Sequence, residues 1–164
     1  MTKRPLIIDC DPGVDDAIAL LLAFAASDEL DLKGVTTLAG NVNAKLTAHN
    51  ACIIRSLAER EDVAVFAGAD RPLAAEPVEA GHFHGANGLG DLTFDAPHQG
   101  PSDIGAVEFL IDTLKRAAPR SVTIATLGPL TNVALALAAD PACAGGVREI
   151  VIMGGARREG GNIT

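Results

Sequence analysis

Four aspartates, Asp9, Asp11, Asp15 and Asp16, fall within eight residues near the start of the chain, inside the run Pro5-Leu-Ile-Ile-Asp-Cys-Asp-Pro-Gly-Val-Asp-Asp16. One or two carboxylates at a helix start are commonly caps that complement the helix dipole. Four at this spacing repel and raise one another's pKa unless a cation neutralises them. Cys10 stands among them, but neighbouring carboxylates raise a thiol's pKa and blunt it, so it reads as a packed small residue. A set of oxygen ligands favours a hard cation, Ca²⁺ or Mg²⁺, over zinc.

The elements around this cluster read as a buried strand followed by a helix. Leu6, Ile7 and Ile8 form a short apolar run of the kind found in parallel sheets. Asp11-Pro12 then looks like a helix entry, with Asp11 as N-cap, Pro12 at the first helical position and an apolar helix over 14–26. Strand 30–38, a helix capped by Asn43 and running to about residue 60, and strand 63–67 follow. The regular pattern lapses over 68–102, a stretch rich in Gly, Pro and His, and long loops of this kind are commonly functional or disordered. It returns as helix 103–118, strand 121–126, a helix through Ala139 that Asp140-Pro141 ends, and strand 147–153. The order βαβαβαβαβ implies an α/β fold: an open, mostly parallel, doubly wound sheet with helices on both faces, ending after its fifth strand.

The 164 residues fit one domain, and 48% hydrophobic content is enough for a sizeable core. A net charge of -8 argues against nucleic acid polymers and anionic membranes as partners. Asp9 and Asp11 interrupt the first apolar run too early for a signal peptide, and the 17–26 run is too short to span a bilayer, so a soluble cytoplasmic protein is expected. The three cysteines are widely spaced, which is not the pattern of a disulfide framework.

Ligands of open α/β sheets bind outside the carboxyl ends of the strands. Those ends carry Asp9 and Asp11, then Asn41, then the segment leading to His82 and His84, then Thr126, then Met153 followed by Asn162. Each is weak alone, an Asn after Gly being usually a turn residue, but they converge on one edge. His49 and His98 read as surface residues.

Ile8-Asp-Cys-Asp-Pro-Gly-Val-Asp-Asp16, with Leu38-Ala-Gly-Asn41, Gly81-His-Phe-His-Gly85, Thr126-Leu-Gly-Pro-Leu-Thr-Asn132 and Ile152-Met-Gly-Gly155 in that order, resembles the inosine-uridine-preferring nucleoside hydrolase family. The resemblance implies Ca²⁺-dependent hydrolysis of the N-glycosidic bond of ribonucleosides, giving ribose and a free base, in nucleoside salvage. It implies that Asp11 holds the attacking water as general base and touches the metal, that Asp16 and the Thr126 carbonyl are further metal ligands, and that Asp15, Asn41, Met153 and Asn162 contact the ribose. Asp9 would support the loop, and His84 would line the nucleobase pocket, where a histidine could protonate the leaving base. The substrates implied are inosine, uridine or cytidine, and the assembly a homodimer or homotetramer. A histidine in the 81–85 loop and no tryptophan favour the inosine-uridine or pyrimidine branches over the purine-specific one.

Cleaving a ribosyl C–N bond builds positive charge on the sugar, which suits carboxylates close by. Members of the family continue for about as much chain again and supply a last metal ligand there. The expectation is therefore an N-terminal half of a longer hydrolase, a poor catalyst by itself, with an exposed sheet edge or apolar helix face. Two alternatives remain open at this point. An Mg²⁺ phosphatase of the haloacid dehalogenase type would use Asp9 as nucleophile with Asp11 beside it, although Gly13 stands where a hydroxyl residue is expected and Asp15-Asp16 has no role. A catalytically silent metal- or nucleoside-binding module is the other.

Overall fold

β1 (Arg4–Cys10) is the middle strand of the sheet in the computed structural model, which describes residues 2–160. β2 (Leu30–Thr37) and β3 (Val65–Ala67) lie on one side of it, β4 (Val122–Thr126) and β5 (Val147–Ile152) on the other, in the order β3-β2-β1-β4-β5 with every pairing parallel. The chain therefore leaves β1 in one direction, returns, and continues in the other. The loops after β1 and β4 diverge at that reversal and open a crevice.

Alternate residues of β1 feed two cores. Ile8 and Cys10 join Leu20 and Phe24 of α1 (Val14–Ala25) and Cys52 and Ile54 of α2 (Ala44–Leu57). Ile7 joins Leu110 and Leu114 of α4 (Ala106–Arg116) and Val133 and Ala136 of α5 (Thr131–Ala139). Helices thus cover both faces, and each fully buried Leu or Phe is worth roughly 1.5–3 kcal/mol. All three cysteines are buried and free, and burial with the carboxylates beside it pushes the Cys10 thiol well up. No helix of the described residues is long and apolar enough to cross a membrane.

The start of α1 corrects one expectation. Asp11 and Pro12 lie ahead of the helix, and Gly13 is its N-cap. The capping carboxylate is Asp16, whose Oδ2 accepts the Gly13 N–H at 3.1 Å. Asp11 is thereby released from capping. Asn43 does cap α2, accepting the Leu46 N–H at 3.1 Å. The irregular stretch contains one short helix, α3 (Gly81–His84), and a 3₁₀ turn over Pro141–Gly146 follows α5, started by Asp140, whose Oδ1 accepts the Ala142 N–H at 3.1 Å.

The outer boundary is less complete. α1 packs on the sheet by one side only, and Ile18 and Leu22 face outward at 65% and 70% exposure, with Val14 and Leu21 beside them. Val151, Ile152 and Met153 on β5 and just past it are each more than half exposed, and β5 has no further strand partner among the described residues.

Candidate active site

Asp9 faces Thr36 of β2 and Thr126 of β4 across the sheet, a row of three residues with no exposure at all. Its Oδ1 accepts the Thr36 hydroxyl at 2.6 Å and the Asn132 amide at 2.8 Å. Burial pushes its carboxyl up to about 6 in spite of both bonds. Asp9 therefore lies behind the crevice, among protein groups.

Asp11, two residues on, turns into the crevice itself. It lines a cleft of about 500 Å³ with Asp15, Asn41, Phe83, His84, Met153 and the Leu127–Pro129 turn after β4. Asn41 grips it twice: its backbone N–H donates to Asp11 Oδ2 at 2.8 Å, and its side-chain Nδ2 to the Asp11 carbonyl at 3.0 Å. A Cβ at either Gly40 or Gly128 would collide with the Asp11 carboxyl, so two glycine turns close on it from opposite loops. Burial, then repulsion from Asp16, pushes the Asp11 carboxyl up to about 7.

Asp16 is buried beside it, and Asn41 Nδ2 also reaches Asp16 Oδ2, at 3.3 Å. Burial pushes this carboxyl up to about 6. Asp16 Oδ1 is sealed from solvent with no hydrogen-bond partner, which is costly for an anionic oxygen unless a proton or a cation meets it. Among the described residues no three His, Cys, Asp or Glu side chains come close enough to share a metal. The expectation of four gathered carboxylates is corrected accordingly: Asp9 faces inward and Asp15 is exposed on the first turn of α1. Two carboxylates remain, and any cation held by them needs carbonyl, water or ligand oxygens as well. Thr126 ends β4 opposite Asp9, and its carbonyl already accepts the Met153 N–H at 2.9 Å, leaving one lone pair.

His84 comes from α3 and not from an irregular loop. Its Nδ1 accepts the Val14 N–H at 3.3 Å, while Asp15 Oδ1 at 3.9 Å is beyond hydrogen-bond range. A nitrogen that accepts carries no proton, so neutral His84 holds its proton on Nε2. Asn41 anchors this helix too, its carbonyl accepting the Ala80 N–H at 2.9 Å. His82 is exposed, its ring tilted at 45° against that of Phe83; His49 and His98 are also at the surface. Met153 lies half-exposed at the cleft wall, and Asn162 lies outside the described residues.

Several groups at the site had no role assigned from sequence. Phe83 is an exposed aromatic on the cleft wall. Asn50, in the middle of α2, donates to the Pro12 and Asn87 carbonyls at 3.2 and 2.9 Å, pinning the 85–92 loop behind Asp11. Asn132 is fully buried at the start of α5. The available signal was an Asn inside an otherwise apolar helical pattern.

The geometry can be set beside known proteins. The family model described as inosine-uridine preferring nucleoside hydrolase matches residues 6–164. A pyrimidine-specific ribonucleoside hydrolase of Photobacterium profundum is 47% identical over 99% of this chain and 51% of its own length. The inosine-uridine preferring nucleoside hydrolase of Crithidia fasciculata is 37% identical over 96% of this chain and 50% of its own. A solved plant nucleoside hydrolase superposes with a TM-score of 0.87 at 39% identity, over 94% of this chain and 49% of that one. The chain spans about half the length of the curated relatives it matches. By motif, fold and sequence it belongs to the inosine-uridine preferring nucleoside hydrolase family.

Proposed function

We propose that the cleft hydrolyses the N-glycosidic bond of ribonucleosides, with uridine, cytidine and inosine as the first substrates to try. The observation that carries this reading is the buried pair Asp11 and Asp16, bridged by Asn41 at the reversal point of the sheet beneath a cleft of about 500 Å³. The orphaned Asp16 Oδ1 and the oxygen-only donor set fit a hard divalent cation, Ca²⁺, held by Asp11, Asp16 and the Thr126 carbonyl. Bound there, such an ion would lower the pKa of water and fix its position.

The chain's own residues supply the rest. Asp11 takes the proton of the attacking water as its oxygen bonds to the ribose C1′ and the C1′–N bond breaks. A raised pKa suits Asp11 to that transfer, and general-base help of this kind is worth about 10²–10⁴-fold. The electron pair leaves on the base nitrogen, which takes its proton from water, and His84, whose Nδ1 accepts the Val14 N–H, offers its Nε2–H as a hydrogen-bond donor to the departing base. Asp15, at the cleft wall, is free to accept ribose hydroxyls. Asn41 has its Nδ2 committed to Asp11 and Asp16, so Oδ1 is the atom it offers the sugar. Met153 packs on the sugar, and Asn162 is assigned to its far hydroxyl.

The phosphatase alternative requires Asp9 as nucleophile, and a residue with no exposure, its Oδ1 held by Thr36 and Asn132 and its Oδ2 sealed from solvent, cannot attack a substrate in the cleft. The deciding experiment is ribose release from uridine, cytidine and inosine by intact protein of verified mass. Turnover lost on chelation and restored by Ca²⁺ is expected. Protein that binds Ca²⁺ and nucleoside but liberates no ribose would refute the hydrolase reading in favour of a silent binding module.

A further inference from the structure

Asn132 is the second residue of α5, yet its side chain caps nothing in that helix. It is fully buried and reaches instead across the carboxyl end of the sheet. Nδ2 donates to Asp9 Oδ1 at 2.8 Å and to the Thr37 carbonyl at 2.9 Å, and Oδ1 accepts the Ala69 N–H at 2.9 Å. Both amide hydrogens and one oxygen lone pair are used. Turning the amide over would set its oxygen against a carboxylate and a carbonyl, so only one orientation works. The seat is also tight: a Cβ at Gly68 would collide with this amide, which leaves no room for the longer side chain of Gln.

Two relays lead from this amide to Asp11. In one, residue Ala69, held by its N–H, accepts the Ala39 N–H on its own carbonyl at 2.8 Å. Residues 39–41 are the turn whose Asn41 N–H holds Asp11 Oδ2 at 2.8 Å. In the other, the Asp9 carbonyl accepts the Leu127 N–H at 2.8 Å, fixing the turn whose Gly128 closes on the Asp11 carboxyl. The two loops that grip Asp11 are therefore tied, from behind the cleft, to one side chain.

We propose that Asn132 is a positioning residue for Asp11, setting the two turns that hold its carboxyl. It touches neither cleft nor substrate, and its effect on turnover rests on the hydrolase reading above. Outer contacts of this kind typically cost about 10–100-fold in activity when removed.

The test is Asn132→Leu, of similar volume but without hydrogen-bonding groups, beside Asn132→Ser, which keeps one donor and leaves room for a water. In intact protein the Leu variant should lose about 10–100-fold in kcat for uridine with KM moving less, because the general base Asp11 shifts while, of the ribose contacts, only Asn41 lies on a turn that Asn132 sets. Amide exchange at Asn41, read by NMR, should speed in parallel, and the Ser variant should fall between Leu and wild type on both readouts. Folded variants with wild-type kcat and unchanged Asn41 exchange would overturn the proposal. So would losses in kcat that only track the unfolded fraction. Should the Leu variant not fold, the Ser variant decides by the same criteria. Should wild type release no ribose, the hydrolase reading falls by itself, and Asn41 exchange alone decides whether Asn132 positions the turn.

Discussion

Asp9 and Asp11 leave the same strand two residues apart, both buried and both with carboxyl groups pushed far above the ordinary range, yet they sit in opposite kinds of surroundings. Asp9 lies between Thr36 and Asn132, on the inner side of the sheet end. Asp11 lines the cleft and has Asp16, with an oxygen that nothing in the protein satisfies, as its neighbour. A raised pKa therefore does not separate a working carboxylate from a structural one. Nor does an unpartnered oxygen, since Asp9 Oδ2 is buried without a partner as Asp16 Oδ1 is; access to the cleft does.

The sharpest way to break that comparison is a matched pair of isosteric substitutions. Asp11→Asn keeps an oxygen for the Asn41 N–H and removes the charge, so ribose release should fall by about 10²–10⁴-fold while the fold persists. Asp9→Asn also keeps its accepting oxygen toward Thr36 and Asn132, and should cost turnover roughly tenfold or less. Steady-state kinetics on the two proteins decides this. Equal losses would erase the distinction between the two sites.

A divalent cation should separate the same carboxylates by pH. The folded-state values of about 6, 7 and 6 for Asp9, Asp11 and Asp16 all lie above the ordinary 3.8. Between pH 4 and 7 the folded chain then binds more protons than the unfolded one, so stability falls as pH rises through that window. Each group contributes a slope of up to about 1.4 kcal/mol per pH unit. Ca²⁺ would favour the ionised forms of Asp11 and Asp16 and flatten their share, leaving that of Asp9. Urea titrations from pH 4.5 to 7.5, chelated and in excess Ca²⁺, should show the steeper decline in the chelated protein. Parallel curves would mean that no cation meets this pair.

How much of this was legible in the sequence follows the same division. The apolar run before Asp9, the β/α alternation and the strand-end residues gave the sheet and the crevice, because local periodicity and the carboxyl-end rule require no knowledge of partners. The Asp-Pro entry misled about α1, since capping fell to Asp16, and four acidic letters could not reveal that one would turn inward and another into solvent. α3 is a single turn whose helical bonds are too few to leave a periodic signature. Asn132 is bonded to residues 63, 95 and 123 positions away. Only tertiary folding makes those contacts, so no local pattern announces them.

The smallest effect belongs to the far side of the cleft, where His84 has two separable jobs. Its Nδ1 receives the Val14 N–H at the start of α1, and its Nε2–H is the hydrogen-bond donor assigned to the leaving base. His84→Ala removes both and should lower stability by about 0.5–1.5 kcal/mol, the net worth of one hydrogen bond. His84→Asn can return an oxygen near the Nδ1 position and recover that stability, but its shorter amide cannot also place a donor at the Nε2 position. Turnover of the two variants should then be equally depressed while their urea midpoints differ. If the Asn variant regains activity along with stability, His84 serves only to hold α1 in place, and stabilisation of the departing base has to come from another group.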